Sequence, residues 1–319
     1  MLQKIIAFQL LLVLLTGLTF FAEAQKKEEG KPAIYETAWN SLSFRSIGPA
    51  FTSGRIADFA VNPDNPSEFY VGVAAGGVWK TTNKGLNFEP VFDSQGSYSI
   101  GVVEMDPNNH NVIWVGTGEN NNQRSVAYGD GVYKSMDGGK SWEHKGLKES
   151  EHIGMIAIDP YNSDVVYVAA TGPLWSAGGD RGLYKTTDGG DNWTKILDIS
   201  EHTGIHEVHL DPRNPNVIYA VAHQRRRHVF TYISGGPESS VYKSTDGGKS
   251  FRKIVKGLPS GDLGRIGLDI SPANPDVIYA VVEAQEDKGG FYKSTDLGES
   301  WVRQSDYSSS GNYYQEVIA

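Results

Sequence analysis

The sequence predicts an all-β fold, a β-propeller of four-stranded antiparallel blades, and three observations predict it. A turn motif of the form Ser/Thr-x-Asp/Asn-x-Gly-x-x-Trp/Phe occurs five times, at Thr81–Phe88, Ser135–Trp142, Thr186–Trp193, Ser244–Phe251 and Ser294–Trp301. A second turn, built on Asn-Pro, Asp-Pro or Ser-Pro, precedes it in every repeat: Asn62-Pro63, Asp106-Pro107, Asp159-Pro160, Asp211-Pro212 and Ser271-Pro272. The two keep step. Asn83, Asp137, Asp188, Asp246 and Asp296, one from each copy of the first motif, are 54, 51, 58 and 50 residues apart, the period of a propeller blade rather than of a helical repeat.

Each element follows from its residues. In the third unit the alternation Gly182-Leu183-Tyr184-Lys185 enters as a strand, and Asp188-Gly189-Gly190 supplies residues that tolerate positive φ and reverse the chain. The Asp carboxylate and the Ser/Thr hydroxyl bond to the backbone of their own turn. The aromatic at the eighth position is an apolar anchor for the neighbouring unit. Around the earlier turn, an alternating run such as Ile153 to Ile158 comes before and a β-rich run such as Val165 to Ala169 after. Every unit therefore reads strand A, Pro turn, strand B, variable loop, strand C, Asp hairpin, strand D. The first strand A is Gly54–Val61, and the others fall near 99–105, 153–158, 205–210 and 265–270. Residues 313–319 line up with the strand A of a sixth unit. The expectation is five blades plus the start of a sixth, an incomplete ring in which residues 44–319 are the front part of a longer propeller.

The N-terminus predicts export. Lys4, an apolar run from Ile5 to Phe21, and Ala22-Glu23-Ala24 before Gln25 have the form of a signal peptide spanning residues 1–24 and cleaved after Ala24. A membrane anchor is the weaker reading, because the run is short for a span and contains Gln9, Thr16, Gly17 and Thr19. A polar leader occupies residues 25–43. The chain is expected to be secreted or periplasmic, with no membrane span once processed. It has no cysteine, so packing alone must hold it together. The net charge of −9 argues against nucleic acid.

The repeats match the Asp-box, or BNR repeat, and residues 44–319 resemble bacterial secreted proteins with a sortilin-type N-terminal propeller, a group often labelled glycosyl hydrolase. Phe44-Arg45-Ser46-Ile47-Gly48-Pro49, Gly76-Gly77-Val78-Trp79-Lys80, Gly116-Thr117-Gly118-Glu119-Asn120 and Gly178-Gly179-Asp180-Arg181-Gly182-Leu183-Tyr184 are typical of that group. The resemblance implies a propeller, a ligand-binding scaffold in sortilin-type relatives, and glycan hydrolysis in sialidases and xyloglucan-cleaving enzymes that carry the same box. The box identifies a hairpin, not a reaction.

Blade geometry places the site. In an antiparallel blade the A–B and C–D turns share one end, so the long, dissimilar B–C and D–A loops share the other, where binding residues belong. The candidates there are Glu119, Arg124, Tyr128, Asp130, Trp175, Asp180, Arg181, Arg225, Arg226, Arg227 and His228. Aromatics alternating with arginines and carboxylates suit a polar-ligand groove. The D–A loops add Tyr98, Glu151, His152, Glu201, His202 and Asp262. The Asp-box positions Asn83, Asp137, Asp188, Asp246 and Asp296 are expected to be structural. The leading functional expectation is a secreted binding module for a peptide, protein or glycan. The alternative is a glycoside hydrolase of the sialidase or xyloglucanase-like type acting through paired carboxylates, with Glu119, Asp130 and Asp180 as catalytic candidates. The eight histidines show no paired ligand spacing and there is no Gly-x-Ser-x-Gly elbow, so neither a metal nor a cofactor is expected.

Overall fold

The computed structural model describes residues 54–309 and 311–319. The expected signal peptide, the polar leader and the opening of the first unit lie outside the described residues. The chain forms five antiparallel sheets in succession. The first holds β1 (Ile56–Val61), β2 (Phe69–Val73), β3 (Gly77–Thr81) and β4 (Glu89–Pro90). The second holds β5 (Ile100–Met105), β6 (Ile113–Thr117), β7 (Val132–Ser135) and β8 (Glu143–His144). The third is β9 (Ile153–Asp159), β10 (Asn162–Ala170), β11 (Gly182–Thr186) and β12 (Thr194–Leu197). The fourth has β13 (Thr203–Asp211), β14 (Asn214–Arg227), β15 (Tyr232–Ser234), β16 (Ser240–Ser244) and β17 (Arg252–Ile254). The fifth is β18 (Leu263–Ile270), β19 (Ile278–Ala284), β20 (Gly290–Ser294) and β21 (Val302–Ser305). Among the described residues the only helix is a single 3-10 turn, Lys148–Ser150. The fold is the predicted propeller-like array of four-stranded blades, and the fourth blade adds a fifth strand that the sequence did not predict.

The Asp hairpins satisfy themselves as expected. In the second blade Ser135 Oγ donates to Asp137 Oδ1 at 2.9 Å and accepts from the Gly139 N–H at 2.8 Å, while the same Asp137 oxygen accepts from the Ser141 N–H at 2.9 Å. Gly138 and Gly139 hold φ of 73° and 88°, a region open to glycine at little cost. The first hairpin repeats the pattern with Thr81 and Asn83. Each hairpin also donates to the Pro-turn end of its own blade: Gly138 N–H to Asn111 O, Gly189 N–H to Asp164 O and Gly247 N–H to Asn216 O, all within 3.0 Å. The two kinds of turn therefore share one end, leaving the long loops at the other.

Packing joins each blade to the next. One apolar cluster links Val102, Trp114 and Val132 of the second blade to Ile156, Val168 and Tyr184 of the third. Another links Tyr219 and Val241 of the fourth to Ile266, Ile278 and Trp301 of the fifth. The hairpin aromatics do cross to the neighbour: Trp142 Nε1 donates to Val91 O and Trp193 Nε1 to Lys145 O, each at 2.6 Å. The first strands of successive blades lie side by side without a backbone ladder, and carboxylates lace them instead. Asp58 accepts from the Val103 N–H at 3.0 Å and Glu207 from the Leu268 N–H at 2.8 Å. Residues 313–319 continue that series beside β18, where Asp269 accepts from the Ala319 N–H and the Gln315 amide donates to Arg265 O. They form no strand ladder among the described residues.

Candidate functional site

The loop end is organised by two features that sequence kept far apart. One is the B–C loop of the second blade, Glu119 to Gln123. The other is β14, which runs on past its last pairing with β16 at Ala222 and Ser240 and forms a second hairpin with β15, pairing Arg225 with Ser234, Arg226 with Ile233 and Arg227 with Tyr232. Alternation along this extension sends Arg225 and Arg227 to one side and Arg226 to the other.

The inward pair is consumed by the loop. Arg225, 1% exposed, donates from Nη1 to Asn121 O and Asn122 Oδ1 and from Nη2 to Gly172 O, at 2.6–3.0 Å. Arg227 donates to Asn122 O and Asn312 Oδ1. Arg265 of β18 donates to Asn120 O and Tyr313 O. Glu119, 2% exposed, is held by the Arg55 guanidinium, the Asn121 amide and the Tyr314 hydroxyl. Burial, and after it the charge of Arg181, pulls the Arg225 guanidinium down to about 9. Below this layer His206 and His223 stack edge to face at 5.8 Å, both held well below the usual imidazole value by burial.

The remaining candidates are spread over the loop end. Arg181 folds back onto its own loop, donating to Thr171 O, Pro173 O, Ser176 O and Gly178 O. Asp180 accepts from the Glu149 N–H at 2.9 Å. Asp130 accepts from the Tyr133 hydroxyl at 2.7 Å and the Thr117 hydroxyl at 3.2 Å. Tyr128 is 54% exposed and packs edge-on to the buried His152. Arg124 is exposed and Trp175 half-buried. Of the residues singled out in the sequence, His202, Arg225, Arg226 and His228 meet in one pocket of about 250 Å³, together with Gln224 and Ile233.

A second cleft, of about 260 Å³, opens on the other side of β15, lined by Ser234, Gly235, Asp262, Leu263, Gly264, Glu283, Ala284 and Gln285. It brings two carboxyls together. Burial raises the Glu283 carboxyl above its usual range, against the opposing pull of the Arg265 backbone N–H, which donates to it at 3.0 Å, and of the Arg265 charge. Asp262 is half-buried at the end of the D–A loop. Sequence reasoning reached Asp262 and missed Glu283, which lies near the end of β19, just before the B–C loop of the fifth blade, rather than in the loops where candidates were sought. Among the described residues no group of three or more His, Asp or Glu is placed to hold a metal, and no helix is long and apolar enough to cross a membrane.

Comparison with known proteins bears on the whole chain. A probable oligoxyloglucan-reducing end-specific xyloglucanase of Neosartorya fischeri is 25% identical over 304 residues, covering 82% of this chain and 36% of the relative. A xyloglucanase of Acetivibrio thermocellus is 22% identical over 313 residues, covering 89% of this chain and 36% of the relative. The chain thus spans about a third of the length of these curated relatives. Among solved structures, an ancestral GH74 enzyme aligns with a TM-score of 0.62 at 24% identity, over 83% of this chain and 33% of that one. The Niastella koreensis GH74 enzyme aligns with a TM-score of 0.58 at 20% identity, over 78% of this chain and 38% of that one. At these identities the structural likeness carries the fold alone.

These relatives correct the leading expectation from sequence. A binding module for a peptide or protein is set aside, because the relatives matched over most of the chain are glycoside hydrolases; a glycan remains in view only as a substrate. The physical basis of that expectation also changes, since the Arg225–Arg227 run is not a free basic loop: two of its three guanidiniums are bonded inside the protein. The family model described as sortilin, neurotensin receptor 3 matches residues 130–256 and 181–317, together more than half of the 319 residues, and the chain belongs to this Sortilin-Vps10 family.

Proposed function

We propose that the protein is a glycoside hydrolase of the xyloglucanase type, acting on a β-glucan-like polysaccharide at the loop end of the blades. The xyloglucanase relatives, aligned over as much as 89% of the chain, carry the reading. The cleft beside β15 supplies the chemistry such a reaction needs, two carboxyls facing one space. Glu283, whose carboxyl burial raises above its usual range, is assigned as the general acid. It gives its proton to the glycosidic oxygen as the bond from that oxygen to the anomeric carbon breaks. Asp262 is assigned as the partner carboxylate that accepts the proton of the attacking water or takes the anomeric carbon itself. Glycine at 264 keeps the cleft open, since a side chain there would run into the Glu283 carboxyl.

The repeated hairpins are read as Asp-boxes, and the expected signal peptide over residues 1–24 suits an enzyme whose polymer lies outside the cell. Neither Glu119 nor Asp180 is assigned a catalytic role: the Glu119 carboxylate is spent on Arg55, Asn121 and Tyr314, and Asp180 does not line the carboxyl cleft. The test is reducing-sugar release by the full-length protein from xyloglucan and from mixed-linkage and unsubstituted β-glucans. Turnover that falls at least a hundredfold in Glu283→Gln and in Asp262→Asn supports the assignment, and turnover unchanged in both variants overturns the pair. Absence of turnover on every glucan, with the folded wild type, overturns the activity.

A further inference from the structure

The pocket on the opposite side of β15 from the carboxyl cleft has a composition that a neutral polysaccharide does not explain. Its lining residues His202, Gln224, Arg225, Arg226, His228 and Ile233 enclose about 250 Å³. Arg225 is 1% exposed, and its Nε has no hydrogen-bond partner among the described residues. The Nε and Nη1 atoms of Arg226 are buried and equally without a partner. No carboxylate of the described residues lies within ion-pair distance of Arg225, Arg226 or Arg227. The acids nearby act weakly or elsewhere: Glu151 offsets part of the Arg225 charge from a distance, and Glu201 faces His202 at 3.4 Å on the exposed side. Arg181 adds a like charge.

The Arg225 guanidinium is already engaged by Asn121, Asn122 and Gly172, but Arg226 keeps buried N–H groups with neither an acceptor nor a counter-ion, a costly state that an oxyanion beside Arg226 and His228 in this pocket would relieve. A guanidinium fork matches the planar geometry of a carboxylate better than any neutral hydroxyl. Position supplies the second half of the argument. Arg226 pairs across the ladder with Ile233, which lines this pocket, while its neighbour Ser234 lines the carboxyl cleft. One short strand therefore separates the two, so a sugar chain lying over β15 would reach both.

We propose that this pocket is a subsite for an acidic sugar, holding the carboxylate of a uronate unit beside the unit that is cleaved. The inference rests on the glycan reading above but concerns binding, so it can be tested without turnover. The probes are cellotetraose and its counterpart oxidised to the carboxylate at C6, titrated calorimetrically into the full-length protein. Wild type is expected to bind the acidic probe at least tenfold more tightly than the neutral one, with the preference shrinking as salt rises. Arg226→Gln is expected to bring the acidic probe down to the affinity of the neutral one. His228→Ala, at an exposed position, is expected to weaken it severalfold with an unchanged melting temperature. Equal affinity of wild type for both probes overturns the subsite, as does a preference that survives Arg226→Gln in a folded variant. Preferential binding of the acidic probe with no cleavage of any glucan would leave the subsite standing and remove the hydrolase; cleavage with no charge preference would do the reverse.

Discussion

The Lys134 ammonium lies 4.8 Å from the centre of the Trp114 ring and donates to the carbonyl oxygen of Gly189, 3.1 Å away in the hairpin of the next blade. The same arrangement recurs with Lys80, Tyr70 and Gly138, with Lys185, Tyr167 and Gly247, and with Lys243, Tyr219 and Leu297. Strand C thus reaches forward through a lysine, across its own aromatic, to the backbone of the following repeat. Lys134→Met keeps the stem but loses the charged donor, and should cost about 1.5–2 kcal/mol. Lys249→Met, on an exposed hairpin position, should cost almost nothing. Urea unfolding of the two variants compares them, and equal midpoints would remove the lysine from the account of how blades hold together.

The hairpin tryptophans are not equal. Trp301 is 3% exposed, whereas Trp193 keeps part of its ring in solvent while its indole N–H bonds to Lys145 O. Trp301→Ala should therefore cost about 3–5 kcal/mol, in the range of a large core truncation, and Trp193→Ala less. The order of the two melting temperatures is the measurement. A larger loss at Trp193 would mean that its hydrogen bond outweighs burial.

Stability should depend on pH with a maximum on the mildly acidic side. Burial pushes the carboxyls of Asp58 and Glu104 up to about 6 and 8. A folded value above the unfolded one favours the folded state fully only below the unfolded value, and the benefit is lost as pH rises through the folded value. These groups thus erode stability between about pH 4.5 and 8. The hairpin carboxylates of Asp137 and Asp188 have the opposite sign. Held at about 2 by hydrogen bonds, first from the Ser141 and Asn192 side chains respectively, they add stability above the usual carboxylate range and lose it as pH falls toward 2. Melting temperature should peak near pH 4–5, and Glu104→Gln should flatten the decline toward pH 8. A decline of unchanged slope in that variant would exclude Glu104 as its source.

Glu119→Gln should act on stability rather than on turnover. It leaves the Arg55 guanidinium, on a side chain 40% exposed, and the half-buried Tyr314 hydroxyl facing a neutral amide, which should cost about 1–2 kcal/mol. Activity per folded molecule should survive. Lost turnover with an unaltered melting temperature would return Glu119 to the catalytic residues.

How much of this was legible in the sequence depends on how local the chemistry is. The hairpins were readable because Ser135, Asp137 and Gly139 satisfy one another within five residues, and the blade order followed from their period. Arg225, Arg226 and Arg227 read alike in sequence, as a basic loop, because nothing in Gln224 to Arg227 alternates in polarity. Only the strand extension, set by pairing with Tyr232 to Ser234, divides them into two whose guanidiniums are bonded within the loop end and one whose N–H groups are left without a partner. Their acceptors, Asn121 and Asn122, are more than a hundred residues away. Glu283 escaped because it stands near the end of β19, before the loop, and the short loop that follows carries no aromatic or arginine to mark the place.

The loop from Glu119 to Gln123 has a bearing on how the chain folds. An array whose units touch only their neighbours can fray from its ends, each blade opening with little effect on the middle. Here the second blade holds the first through Glu119 and Arg55, the fourth through Asn121 and Asn122, and the fifth through Asn120 and Arg265. These links span 64 to 145 residues, so their loop-closure entropy is met only after the intervening blades have formed. They should assemble last and slowly, and once made they convert five repeats into one cooperative unit that melts in a single transition.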